Sequence, residues 1–303
     1  MDVTAILRRV TDDDGLDALM DDPASVRAVL DTLGEHVGLT DRMEVPPRGS
    51  AVVGLTDRVV VKMMAPHDKA YSDTELTCLR TLRDALPIPT PEVLETGDLE
   101  GWQWIAMSRL EGRELADVWP DLGGKERLSL ATHLGEALAV LHGLEAPPTV
   151  ERLDWNAWRA TRLAELVATQ RRKGCPEALL EGLEPFVTKA DTSAGRMGWL
   201  HTEIMLEHLL VQHTAAGWRL SGLFDFEPSW VAPVDYEFSS VGLFVSSGES
   251  DVLREIMRAS GVSASPERLF AMAMLHRYAN LAWYHRRIGG PLDLSALANR
   301  WFG

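Results

Sequence analysis

Apolar positions change period several times along the chain, and each change predicts an element. Val26, Val29, Leu30 and Leu33 recur at helical spacing after a turn at residues 21–23, so residues 1–40 read as an amphipathic helical stretch. Residues 43–64 switch to β-prone runs: Ala51-Val52-Val53, a turn over residues 54–58, then Val59-Val60-Val61 ending in Lys62. Leu76, Leu79, Leu82 and Leu86 mark a helix over residues 68–86, closed by the proline-rich residues 87–91. Residues 102–108 read as a strand. Leu128, Leu130, Leu134, Leu138 and Leu141 predict a helix over residues 126–144, and a helical, arginine-rich segment follows over residues 151–190. Leu209-Leu210-Val211 and residues 218–224 flank a polar turn over residues 212–217, which predicts a β-hairpin. Helices over residues 249–260 and 265–288 complete the pattern.

Composition narrows the class. A chain of 303 residues can build a two-lobed enzyme with a sizeable core. Its formal net charge of −15 argues against nucleic acid as a partner and would draw a cationic substrate. Cys78 falls in a helical pattern and Cys175 in a turn, a usage that fits a reducing cytoplasm. No apolar run reads as a signal peptide or a membrane span. The run Arg152, Arg159, Arg162, Arg171, Arg172 and Lys173 reads as a solvated face, and His142 as a packed core histidine.

The chemistry gathers around the hairpin. His201-Thr202-Glu203 precedes its first strand, His208 follows after four intervening residues, and Asp225-Phe226-Glu227 comes directly after its second strand. Glu203, His208 and Asp225 are therefore expected to converge at one end of the hairpin. The spacing is that of a kinase catalytic loop followed by its metal-binding triplet, with Glu203 standing where Asp is usual and His208 where Asn is usual. It is not the spacing of the His-Glu-x-x-His helix of zinc proteases. The pattern resembles the aminoglycoside phosphotransferase family of small-molecule kinases, in which the loop usually reads His-Gly-Asp and the triplet is often Asp-Phe-Glu. Residues 87–91, the hinge-like residues 106–112 and the Leu141-His142 helix end extend the resemblance. So does the tail, residues 289–303, which is similar to the C-terminal end of hygromycin B phosphotransferases.

The resemblance implies an α+β, two-lobed protein-kinase-like fold. An N-lobe with an antiparallel sheet and helices is expected over residues 1–107, with a helical extension over residues 1–40. A mainly helical C-lobe is expected over residues 108–303, with a helical insertion over residues 151–190. Site residues follow by position. Gly49 and Ser50 would lie over the nucleotide phosphates, Glu75 would hold Lys62 on them, and the hinge backbone at Ser108 and Leu110 would meet the purine. Glu203 would accept the acceptor's proton, and Asp225 with His208 would bind metal. Glu227 would face ammonium groups of the substrate. His201 and Glu237 would support the loop, Glu237 matching the last acid of the family's Asp-Pro-x-Tyr-Asp. Mg²⁺ is the implied ion, while an imidazole ligand favours a softer one such as Mn²⁺. The expected reaction is phosphorylation, by ATP or GTP, of a hydroxyl on an aminoglycoside such as hygromycin B. The alternatives are a kinase of a macrolide, a choline-like alcohol or a sugar metabolite, and a non-catalytic nucleotide-binding pseudokinase.

Overall fold

A computed structural model of the protein describes residues 1–46 and 51–303, and these fall into two compact units. The first unit comprises residues 1–85, 89–111 and 224–227. It opens with three helices, α1 (Val3–Leu7), α2 (Asp13–Met20) and α3 (Pro23–Val37). Each starts at an aspartate, Asp2, Asp12 or Asp22, whose carboxylate accepts a backbone N–H of the first turn. Val26, Val29, Leu30 and Leu33 of α3 are buried, as their spacing requires. They pack with Val52, Val61, Met63, Trp102 and Trp104 of a four-stranded antiparallel sheet. Its strands are β1 (Val52–Leu55), β2 (Val59–Met64), β3 (Val93–Leu99) and β4 (Trp102–Ser108), in the order β1-β2-β4-β3. Lys62 lies in the middle of the sheet, opposite Val53 on one side and Ile105 on the other. Between β2 and β3, α4 (Lys69–Leu82) buries Glu75, Cys78, Leu79 and Leu82.

The second unit comprises residues 86–88, 112–223 and 228–303. It begins with the short strand β5 (Arg113–Glu114), the turn of helix α5 (Leu115–Val118) and the long α6 (Gly124–Leu141). The strand β6 (Glu151–Arg152) leads into α7 (Trp155–Arg172), α8 (Glu177–Leu180) and α9 (Leu183–Lys189). Then come β7 (Met197–Leu200), β8 (Leu209–Thr214), β9 (Gly217–Leu223) and β10 (Trp230–Pro233). Two small sheets form, β6-β10-β7 and β5-β8-β9. The remaining helices are α10 (Glu237–Ser240), α11 (Ser250–Ser260), α12 (Pro266–Leu275), α13 (Leu281–Ile288) and α14 (Leu294–Phe302). Helices α6 and α11 meet at Gly135, where an added Cβ would lie 2.4 Å from the Ile256 carbonyl oxygen, so glycine sets how closely they approach.

Three expectations change. The hairpin turn is tighter than residues 212–217: Gln212 and His213 stay in β8 opposite Arg219 and Trp218, and Gly217 at φ +101 re-enters β9. The helix expected over residues 265–288 is broken between α12 and α13. Its carbonyls there are met by side chains of α7 and of the residue that follows it: Trp158 donates to Leu275, Arg162 to His276, and Gln170 and Lys173 to Ala279. Asn280 then caps α13. That arrangement corrects the reading of the arginine run. Arg171 and Arg172 are exposed, but Arg162 and Lys173 donate into the break, and Arg159 donates to Thr192. Neither Cys78 nor Cys175 is in a disulfide, and both are buried. Among the described residues no helix is long and apolar enough to cross a membrane.

Candidate functional site

In the first unit, one ammonium group gathers three carboxylates. Lys62 Nζ lies 2.7 Å from Glu75 Oε2, 2.7 Å from Asp225 Oδ1 and 2.6 Å from Glu227 Oε2. Strand β2 aims the lysine inward, and α4 buries Glu75 against it. Asp225 takes the left-handed backbone, φ +73, which only a well-determined surrounding holds for a non-glycine residue. Burial pushes the Glu75 carboxyl up to about 7; the attraction of Lys62 opposes the shift and the charges of Asp225 and Glu227 add to it. Burial works against the Lys62 charge too, yet Asp225, Glu75 and Glu227 together raise that group well above its usual range. Oxygen atoms of Glu75, Asp225 and Glu227 lie within 4.8 Å of one another. Such an all-carboxylate oxygen set suits Mg²⁺ or Mn²⁺.

In the second unit, β7 delivers the loop His201-Thr202-Glu203. Glu237, at the start of α10 and fully buried, accepts the His201 N–H through Oε2 and the Thr202 N–H through Oε1, each at 2.8 Å. His142, at the end of α6, places Nε2 3.6 Å from the same carboxylate. Thr202 sits at φ +70, an outlier for a β-branched residue. Its Oγ1 donates to the Pro228 carbonyl at 2.9 Å, and its own carbonyl lies 3.2 Å from His276 Nε2. The Glu203 N–H donates to His201 Nδ1 at 3.3 Å. His208 Nδ1 lies 2.8 Å from the Glu203 carbonyl, which can only accept, so Nδ1 carries the proton and the ring's lone pair is at Nε2. A ligating histidine commonly uses its second nitrogen in this way.

Gly49 and Ser50 lie outside the described residues. At the hinge, the Ser108 N–H donates to the Glu92 carbonyl, Ser108 Oγ accepts the Glu92 N–H, and the Arg109 N–H donates to the Arg58 carbonyl. Glu227, expected to face ammonium groups of a substrate, faces the chain's own Lys62. Sequence reasoning gives no site role to His276 or Arg277, which touch Thr202 from the α12–α13 break. Thr202 itself, in the place of a loop glycine, is the signal in the sequence that this backbone needs outside support.

The comparisons with known proteins agree with this architecture. A profile of the phosphotransferase enzyme family matches residues 48–272, well over half of the chain. No curated protein sequence matches it significantly. Among solved structures, the GDP complex of an aminoglycoside 2'-phosphotransferase-IIIa is 15% identical, with a TM-score of 0.69 over 82% of this chain and 87% of that one. A streptomycin–ATP ternary complex of an aminoglycoside phosphotransferase is 13% identical, with a TM-score of 0.59 over 91% and 98%. A macrolide 2'-phosphotransferase from Brachybacterium faecium is 19% identical, with a TM-score of 0.61 over 92% and 98%. The two-lobed kinase-like fold expected from the family resemblance is the fold of these structures, and the chain belongs to the phosphotransferase enzyme family.

Proposed function

We propose that the protein transfers the γ-phosphoryl group of ATP or GTP to a hydroxyl of a small antibiotic-like acceptor, an aminoglycoside first of all. The observation that carries this reading is the buried Lys62–Glu75 pair with Asp225 on the same ammonium, the set that nucleotide positioning requires. The similar structures named above support both partners, since one is a GDP complex and one holds streptomycin with ATP. The lobe over residues 1–107 binds the nucleotide. Lys62 neutralises its phosphates, Glu75 fixes Lys62, and the backbone at Ser108 and Leu110 meets the purine. In the lobe over residues 108–303, Glu203 orients the acceptor hydroxyl and takes its proton, while Glu237 and His201 hold the loop. Asp225 and Glu227, with His208, are the ligands offered to a divalent ion. When bound, that ion supplies charge neutralisation on the phosphate oxygens. Two thiols outside any disulfide fit a reducing cytoplasm, and the chain's acidity favours a cationic acceptor.

A second reading, nucleotide binding without turnover, starts from His208 and Glu203, both departures from the family pattern. Coupled ADP release decides between them. ATP or GTP is supplied with Mg²⁺ or Mn²⁺ against kanamycin, gentamicin, streptomycin, hygromycin B and a macrolide, with Glu203→Ala and Asp225→Ala in parallel. Acceptor-dependent turnover lost in both variants is the expected result. Nucleotide binding with no turnover, either with this panel or with a lysate metabolite pool, would establish the second reading.

A further inference from the structure

Arg277 sits on the α12–α13 break, far in sequence from the loop it touches. Its Nη2 donates to Thr202 Oγ1 at 3.2 Å and to the Pro228 carbonyl at 2.6 Å. Its Cζ lies 3.4 Å from the centre of the Trp230 ring, a cation–π contact. Its backbone N–H donates to the Tyr236 hydroxyl at 3.2 Å. Among the described residues no carboxylate lies within ion-pair distance, so carbonyl, hydroxyl and ring face hold the charge instead. The two oxygens it joins are not arbitrary. Thr202 precedes Glu203 directly, and Pro228 follows Asp225-Phe226-Glu227 directly.

We infer that Arg277 is a positioning residue for the loop that carries Glu203, acting through Thr202. The inference rests on the reading of Glu203 as the group that takes the acceptor's proton. The physical reason lies in the backbone. A β-branched residue resists φ +70, and Thr202 is kept there by bonds at every polar atom: its N–H to Glu237, its carbonyl from His276, its hydroxyl to Pro228 and from Arg277. Arg277 bridges the Thr202 hydroxyl and the segment after the triplet while its own guanidinium is held over a ring. One terminal nitrogen, Nη2, meets both oxygens while the guanidinium carbon lies over the Trp230 ring, a combination that a lysine ammonium, a compact point charge on a flexible stem, does not reproduce. A glycine at position 202 needs no such help, because it adopts positive φ freely.

The test is a double-mutant cycle read in two ways. Amide exchange of the peptide spanning residues 200–205, and kcat and KM for ATP, are measured for wild type, Arg277→Ala, Arg277→Lys, Thr202→Gly and the Thr202→Gly/Arg277→Ala pair. In Arg277→Ala, exchange in this peptide should quicken about tenfold. Its kcat should fall about 30-fold, with KM for ATP within about threefold. Arg277→Lys, which keeps the charge and guards against misfolding, should recover less than half of the loss on a logarithmic scale. In the Thr202→Gly background the loss of Arg277 should cost only about threefold. Equal penalties in the wild-type and Thr202→Gly backgrounds, or a fully active Arg277→Lys, would overturn the inference. If wild type releases no ADP with any acceptor while the exchange coupling persists, the phosphotransfer reading fails and the positioning role stands.

Discussion

His276 gives the protein an acid-sensitive joint whose size can be worked out. The ring is buried and stacked on Tyr236, with centroids 5.1 Å apart and planes 20° from parallel. Its Nε2 donates to the Thr202 carbonyl, and its Nδ1 accepts the Tyr278 N–H at 3.3 Å. Both nitrogens are therefore used in the neutral form, and a second ring proton would point at an N–H. Burial pushes the imidazole down to about 3 from 6.5, and the nearby charges of Arg277, Arg162 and Lys173 add to it; the bond to Thr202 opposes the shift. The unfolded chain therefore binds a proton that the folded chain refuses between these two values. Stability from this group is complete above pH 6.5 and is lost as pH falls towards 3. Between pH 7 and pH 5 the loss is about 2 kcal/mol, at about 1.36 kcal/mol per unit. Urea unfolding at the two pH values, wild type beside His276→Gln, isolates it, because every other group titrates in both proteins. Glutamine keeps an N–H donor for the Thr202 carbonyl and does not titrate. Wild type should lose about 2 kcal/mol more than the variant on acidification. Equal losses in the two proteins would refute the account.

Two further outcomes follow from the same geometry. Glu237→Gln leaves one of two buried N–H groups facing a donor, so it should cost about 2–4 kcal/mol and lower kcat more than KM; a melting temperature and kcat both close to wild type would sink the bracing role. His208→Asn replaces an imidazole with an oxygen donor, so the ratio of kcat/KM with Mg²⁺ to that with Mn²⁺ should rise by about tenfold, alongside weaker Mn²⁺ binding measured by electron paramagnetic resonance; an unchanged ratio would place His208 off the metal.

What the sequence makes legible is local. The apolar stripe of α3, the bounds of β4 and the pairing of β8 with β9 follow from side-chain period and turn chemistry within a few residues. Lys62, Glu75 and Asp225 are legible because their spacing belongs to a known pattern. The break at residues 276–280 is hidden because apolar residues such as Met272 and Met274 lie on one side of it and Leu281 and Tyr284 on the other, all buried, so the periodicity runs on unbroken. What ends the helix is distant: Arg162, Gln170 and Lys173, more than 100 residues earlier, meet its carbonyls. The run of arginines escapes for the same reason, since charge alone does not reveal which members find carbonyl partners.

The departures from the family pattern point to a maintained loop rather than a decayed one. Buried polar groups in a maintained structure are for the most part hydrogen-bonded. Here the altered positions carry contacts that their replacements make necessary. Threonine in the place of a loop glycine costs about 1–2 kcal/mol at positive φ. Its hydroxyl then gains a carbonyl acceptor and a guanidinium donor, each worth about 1 kcal/mol or more. Glutamate at position 237 spends both carboxylate oxygens on the loop's backbone, and His208 turns one nitrogen to the Glu203 carbonyl. Each substitution is offset within the same network, which reaches Glu203 from both sides. A chain that keeps Thr202 in an unfavourable conformation, and surrounds it with Arg277, His276 and Glu237, is keeping the next residue, Glu203, in one place.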